Sequence, residues 1–176
     1  FNESDLLRLL GVRYAAPAWA FLRHVSDGTG WRKNRTLDAM AMSLWPSRGL
    51  HLHGFEVKVS RSDWQRELQN PAKADGFAQV CHAFWIAAPK AILMSAELPP
   101  TWGLLVPHGS GLRAEKDAPI QERPPMSWKL LAAFLRSVAQ AQEDMVPRSE
   151  IASEMKAAEA KGKQRAEELA RLDPAG

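Results

Sequence analysis

The sequence predicts a mixed α/β domain on three observations. Apolar residues recur at helical spacing near the amino terminus, two-residue alternation takes over between Arg35 and Ala118, and helical spacing returns after the proline-rich "APIQERPP". At 176 residues, with 45% hydrophobic and 24% charged side chains and 7 Trp, the chain has material for one packed core plus an appendage. A domain over residues 1–125 and a helical extension over 126–176 are therefore expected.

Between Ser4 and about Asp27, Leu6, Leu7 and Leu10, then Ala18, Phe21, Leu22 and Val25, fall at helical intervals broken by Gly11 and Pro17, which predicts two short helices. The runs "RTLDAMAMSLW" and "LHLHGFEVKVS" flank "PSRG", whose Pro and Gly suit a tight reversal, so they are expected to pair as an antiparallel hairpin. Ser62 followed by Gln65 has the form of a capping box, and Asn70-Pro71 can open a helix. Helices are thus expected over 63–69 and 71–82, before a strand "AFWIAAP". "WGLLVP" and "GLRAEKDA" read as a second hairpin around "HGSG", and further helices are expected over 127–144 and 148–172. Trp19, Trp64, Trp85 and Trp102 each occupy an apolar position of their element and are assigned to the core.

A net charge of +3 and a pI near 9.2 permit a nucleic-acid partner without demanding one. The single cysteine, Cys81, cannot form an internal disulfide; this fits a reducing compartment, with the cytoplasm as the expected location. No run approaches the roughly 18 apolar residues of a membrane span, and the amino terminus has no basic-then-apolar signal pattern. A start at Phe1 rather than Met leaves room for a missing leader.

The stretch "GFEVKVSRSDW" places charge inside what otherwise reads as a buried strand. Strand alternation sets His51, His53, Phe55, Val57 and Val59 on one face and Leu52, Gly54, Glu56, Lys58 and Ser60 on the other. In the partner strand Asp38 shares its face with Met40, Met42 and Leu44. Unpaired carboxylates in an interior cost several kcal/mol and repel one another, and a divalent cation between them removes both penalties. Hard oxygen ligands suit Mg²⁺, with Lys58 close enough to orient a water. The plainer alternative is a surface ion pair between Glu56 and Lys58, worth at most about 1 kcal/mol.

Asp38, then Glu56-Val57-Lys58 on the next strand followed by a helix, resembles the PD-(D/E)xK nuclease superfamily. The resemblance covers roughly residues 15–107, and the longer line "LDAMAMSLWPSRGLHLHGFEVKVSRSDWQRELQNPAKA" is similar to the bacterial and phage MmcB-related DNA repair proteins. It implies a restriction-endonuclease-like core of helix, antiparallel hairpin, helix and strand in a mixed sheet, followed by carboxy-terminal helices. It also implies Mg²⁺-dependent hydrolysis of phosphodiester bonds in DNA, with Mn²⁺ able to substitute. Asp38 and Glu56 would be the metal ligands, and Lys58 would position the nucleophilic water. The chain departs from the motif at Leu37, where the family has Pro, and in carrying Arg23 and His24 where many members place a glutamate on the first helix.

Arg32, Lys33 and Arg35 in the loop "GWRKNR", with Arg48, Ser60, Arg61 and Lys73, are candidate DNA contacts. Trp31 stands among those bases as stacking residues of single-strand binders do, although a solvated basic loop reads the same way. Asp63 is expected to cap its helix. His51 and His53 resemble a zinc pair but lack a nearby third ligand, so packing or surface roles are expected, and Cys81 is assigned to an apolar helix in the core. Ile151, Met155, Ala158, Gly162, Arg165, Leu169 and Leu172 alternate spacings of four and three, which suits either a solvated helix or one that joins a second copy or a protein partner. Two functions from different classes follow: a DNA nuclease, or a catalytically silent nuclease-fold module that binds DNA or a protein in a larger assembly.

Overall fold

The computed structural model describes residues 1–26, 36–69, 76–145 and 160–161. It has the expected α/β architecture, with six strands in the order β1 to β6 in one mixed sheet. The elements are α1 (Glu3–Arg13), β1 (Trp19–Ser26), β2 (Thr36–Ser43), β3 (Leu52–Val57), α2 (Arg61–Gln69), β4 (Ala83–Ala87), β5 (Trp102–His108), β6 (Gly111–Lys116) and α3 (Trp128–Met145). β1, β2 and β3 run antiparallel in succession, β3, β4 and β5 are parallel, and β6 returns antiparallel to β5.

Asn2 caps α1 through a reciprocal pair with Asp5: each backbone N–H donates to the other's side-chain oxygen, at 3.0 and 2.9 Å. Leu6, Leu7, Leu9 and Leu10 then bury one side of the helix against Phe55, Val57, Trp85 and Leu105 of the sheet. Each such side chain contributes roughly 1.5–3 kcal/mol by leaving water.

The second amino-terminal helix is a correction, because residues 19–26 form β1 and pair with β2 at every position but His24. Leu22 and Val25 are both buried although three residues apart, and between them His24 adopts φ +52°. That irregularity breaks strict alternation and imitates helical spacing.

Both expected hairpins form. Pro46–Arg48 makes a 3-10 turn between β2 and β3, closed by Gly49 at φ +80°, and Gly109 at φ +56° turns β5 into β6. The register of β5 and β6 shifts between Leu104 and Leu105, where β6 gains a residue. α2 starts at Arg61 rather than Asp63, because Ser60 and not Ser62 is its cap. The expected helix over 71–82 lies partly outside the described residues, and its described part ends at Ala78. Cys81 therefore follows the helix, buried against the sheet, where a Cβ on Gly54 would come within 2.7 Å of its Sγ.

The compact units are Phe1–Ser137 and Val138–Gly176. Ser127 caps α3, its Oγ accepting from the Leu130 N–H at 3.3 Å. Apart from residues 160–161, which are helical, the expected helix over 148–172 lies outside the described residues. Trp64, Trp85 and Trp102 are buried as expected, and Trp19 packs at the edge of the core. No described helix is long and apolar enough to cross a membrane.

Candidate functional site where β2 and β3 part

Alternation along β3 sends Phe55 and Val57 into the cluster beneath α1 and leaves Glu56 on the opposite face with Gly54. The ladder to β2 runs from Met42 opposite Leu52 to Ala39 opposite Phe55 and goes no further. One residue beyond, the Asp38 carboxylate replaces a main-chain acceptor: Oδ2 takes the Val57 N–H at 2.7 Å. Asp38 is thereby fixed against the peptide that joins Glu56 to the rest of the Glu-x-Lys segment. Among the described residues its other oxygen carries no hydrogen bond.

Residues two apart on a strand share a face, and Lys58 Nζ accordingly donates to Glu56 Oε2 at 3.3 Å. Their side chains are only 11% and 15% exposed, which argues against a plain surface pair. The Lys58 N–H donates to the Ala87 carbonyl at 3.0 Å and extends the parallel pairing of β3 with β4 past Val57. The register that sets Ala39 opposite Phe55 places Asp38 opposite Glu56, so two carboxylates and an ammonium fall on one face at this strand end. Mg²⁺ accepts one or two carboxylates while retaining waters, so this donor set fits it. Among the described residues there is no cluster of three or more His, Cys, Asp and Glu arranged for a metal.

The proposed DNA contacts are placed differently from one another. Arg32, Lys33, Arg35 and Lys73 lie outside the described residues, as does Trp31. Arg48 belongs to the turn at the far end of the β2–β3 hairpin, roughly 15 Å from Asp38 by strand rise, so the fold does not bring it to the carboxylates. Ser60 Oγ accepts from the Asp63 N–H at 3.2 Å and lies 3.0 Å from Ser62 Oγ. Ser60 is the cap, and the Asp63 side chain both interacts with Ser60 and pairs with Arg66.

Arg61, exposed at the surface, is engaged by groups of its own chain. Its Nη1 donates to Glu97 Oε2 at 2.7 Å and to the Ile92 carbonyl at 3.1 Å, and its Nη2 donates to Glu97 Oε1. The side chain expected to meet phosphate is therefore the anchor of the loop after β4. The hydrogen bonds from Arg61 and from the Met94 N–H hold the Glu97 carboxyl down to about 2. No signal in the sequence near Arg61 announces a partner 36 residues away.

His53 is a packing residue, as expected. Its ring stacks on Trp85 at 6.4 Å and its Nδ1 accepts the indole N–H at 3.2 Å, while burial lowers its pKa to about 4. Burial raises the Cys81 thiol to about 12, so it is no nucleophile. His24 is exposed on β1 rather than carried on a helix, and the β1–β2 register sets it opposite Asp38.

No family model matches the chain, and no curated protein does. A solved structure, the SPO1766 protein of unknown function from Silicibacter pomeroyi, is similar at 21% identity and a TM-score of 0.60, covering 81% of this chain and 88% of that one. The likeness is one of fold.

Proposed function

We propose that the chain is a Mg²⁺-dependent deoxyribonuclease acting in DNA repair or phage DNA processing. The observation that supports this reading is that Asp38, bonded to the Val57 N–H, lies opposite Glu56 and its paired Lys58 in register where β2 and β3 part. Asp38 and Glu56 would hold the ion by carboxylate oxygens. When bound, the ion supplies positive charge to the scissile phosphate and lowers the pKa of water. Lys58, which donates to Glu56 at 3.3 Å, would orient the attacking water beside the ion. Asp38 has a second duty, since its bond to the Val57 N–H fixes the strand end from which Glu56 and Lys58 project.

The test is cleavage of plasmid and oligonucleotide DNA with Mg²⁺ or Mn²⁺ by the wild type, Asp38→Asn, Glu56→Gln and Lys58→Ala. Cleavage by the wild type alone supports the proposal. Equal cleavage by all four proteins marks a contaminant and ends it.

One observation favours the silent-module reading. The carboxylates are already engaged by the Val57 N–H and the Lys58 ammonium, and among the described residues no third acidic group joins them. DNA binding by all four proteins without cleavage in Mn²⁺ would establish that reading instead.

A further inference from the structure

On the sheet face that carries Glu56, a half-open cavity of about 130 Å³ lies beside the first residue pairs of β4 and β5. Its apolar wall is Phe84 and Trp102, both buried, with ring centroids 4.7 Å apart. The opposite side is polar, with Gln79, Thr101, Gln121 and Arg123 and no acidic residue.

Arg123 is held rigidly: its Nε donates to the Cys81 carbonyl at 2.8 Å and its Nη2 to the Ala78 carbonyl at 3.0 Å. Among the described residues Nη1 donates to nothing, so a preoriented cation keeps donors in hand beside the cavity. The strap that carries it is pinned across the start of β4 by the Gln121 N–H, which donates to the His82 carbonyl at 2.8 Å.

We propose that this cavity binds one pyrimidine base, from a free nucleoside or from an unpaired position in a strand. The volume sets the size, since a cavity of about 150 Å³ accommodates a single benzene ring. The Phe84–Trp102 wall calls for a flat ring. Arg123 calls for carbonyl acceptors, and the two glutamine amides can meet both the acceptors and the ring N–H of a pyrimidine. Preferring a base to other flat acceptor-bearing rings rests on the nucleic-acid reading above. The geometry agrees with that reading: Phe84 is two residues along and one strand across from Glu56, and Trp102 is one strand further. Those offsets amount to roughly 8 and 12 Å between Cα atoms, a span of one or two nucleotides.

The test is calorimetric titration of the full chain, without divalent ions, using thymidine, deoxyadenosine and a short oligo(dT). Thymidine carries no phosphate, so basic loops do not contribute to its binding. Gln79 and Thr101 are exposed where they line the cavity, so Gln79→Trp and Thr101→Trp fill the mouth without emptying the core. Thymidine is expected to bind the wild type and Asp38→Asn alike, and each Trp variant is expected to weaken it at least about tenfold. Oligo(dT) binding that the Trp variants weaken as they weaken thymidine identifies a strand base as the natural occupant, and oligo(dT) binding that they leave unchanged identifies a free nucleoside. Absence of thymidine binding, equal binding by the Trp variants, equal binding of deoxyadenosine, or loss in Asp38→Asn would each overturn the proposal. Because no ion is present and Asp38→Asn is included, failure of DNA cleavage leaves the result interpretable.

Discussion

Asp38 Oδ2 accepts the Val57 N–H at 2.7 Å and so does the work of a main-chain carbonyl one step past the last β2–β3 pair. Asn can accept the same bond through its side-chain carbonyl, whereas Ala strands a buried N–H. Asp38→Ala is therefore expected to lose about 1–3 kcal/mol of stability and Asp38→Asn less than about 1 kcal/mol. Chemical denaturation measures both. If cleavage vanishes in both variants while only one is destabilised, the two duties of Asp38 separate.

Lys58 and Glu56 are each more than four-fifths shielded from water, so removing the ammonium leaves a carboxylate in a partly dry site. Lys58→Ala is expected to cost about 1–3 kcal/mol and to lower kcat for DNA cleavage by about 10²–10⁴, with KM little changed. Thermal melting and steady-state kinetics provide the two numbers. An unchanged kcat would confine Lys58 to a structural role.

His53 gives the fold a defined acid limit. Its pKa is lowered to about 4, first by burial and then by repulsion from His51, His82 and Arg13, and its Nδ1 must stay unprotonated to accept from Trp85. Between the unfolded value of 6.5 and about 4 the unfolded chain binds the proton more readily, so stability present above pH 6.5 is lost as the pH falls. The loss is on the order of 3 kcal/mol for this group. His82, also lowered by burial and accepting the Leu52 N–H through Nδ1, adds in the same direction. Urea titrations from pH 7 to pH 4 should show this slope, and it should be shallower in His53→Gln. An equal slope in the variant would assign the acid sensitivity elsewhere.

Both hairpins were legible in the sequence because their signals are local: Pro46 and Gly49, then Gly109, stand between alternating runs and supply the turn angles directly. β1 was not, because the irregular residue His24 places Leu22 and Val25 on the buried side three residues apart. Pairing with β2 along its length then overrides a helical pattern only two turns long. Glu56 and Lys58 were correctly placed together, since two-residue spacing on a strand fixes their shared face. The bond from Asp38 to the main chain depends on where the β2–β3 ladder ends, and no residue type records that. The Arg61–Glu97 fork and the Arg123 clamp join residues 36 to 45 positions apart, and local patterning does not register them.

The fork gives the last prediction. A guanidinium that grips a carboxylate through both nitrogens presents few donors to phosphate, and Glu97 holds Arg61 in that way. The bases of the loop "GWRKNR" are the remaining sequence candidates for phosphate contact. If they bind DNA, each neutralised phosphate adds about 0.9 to the slope of log K against log salt, so replacing Arg32, Lys33 and Arg35 together by Ala should flatten that slope by about 2.7. Arg61→Ala should leave the slope unchanged and instead loosen the segment around Met94 and Glu97, which hydrogen exchange would register. Fluorescence anisotropy of a labelled duplex across a salt series measures the binding side. A slope that falls in Arg61→Ala would mean that DNA draws the guanidinium away from Glu97. An unaltered slope in the triple variant would remove the loop from the interface.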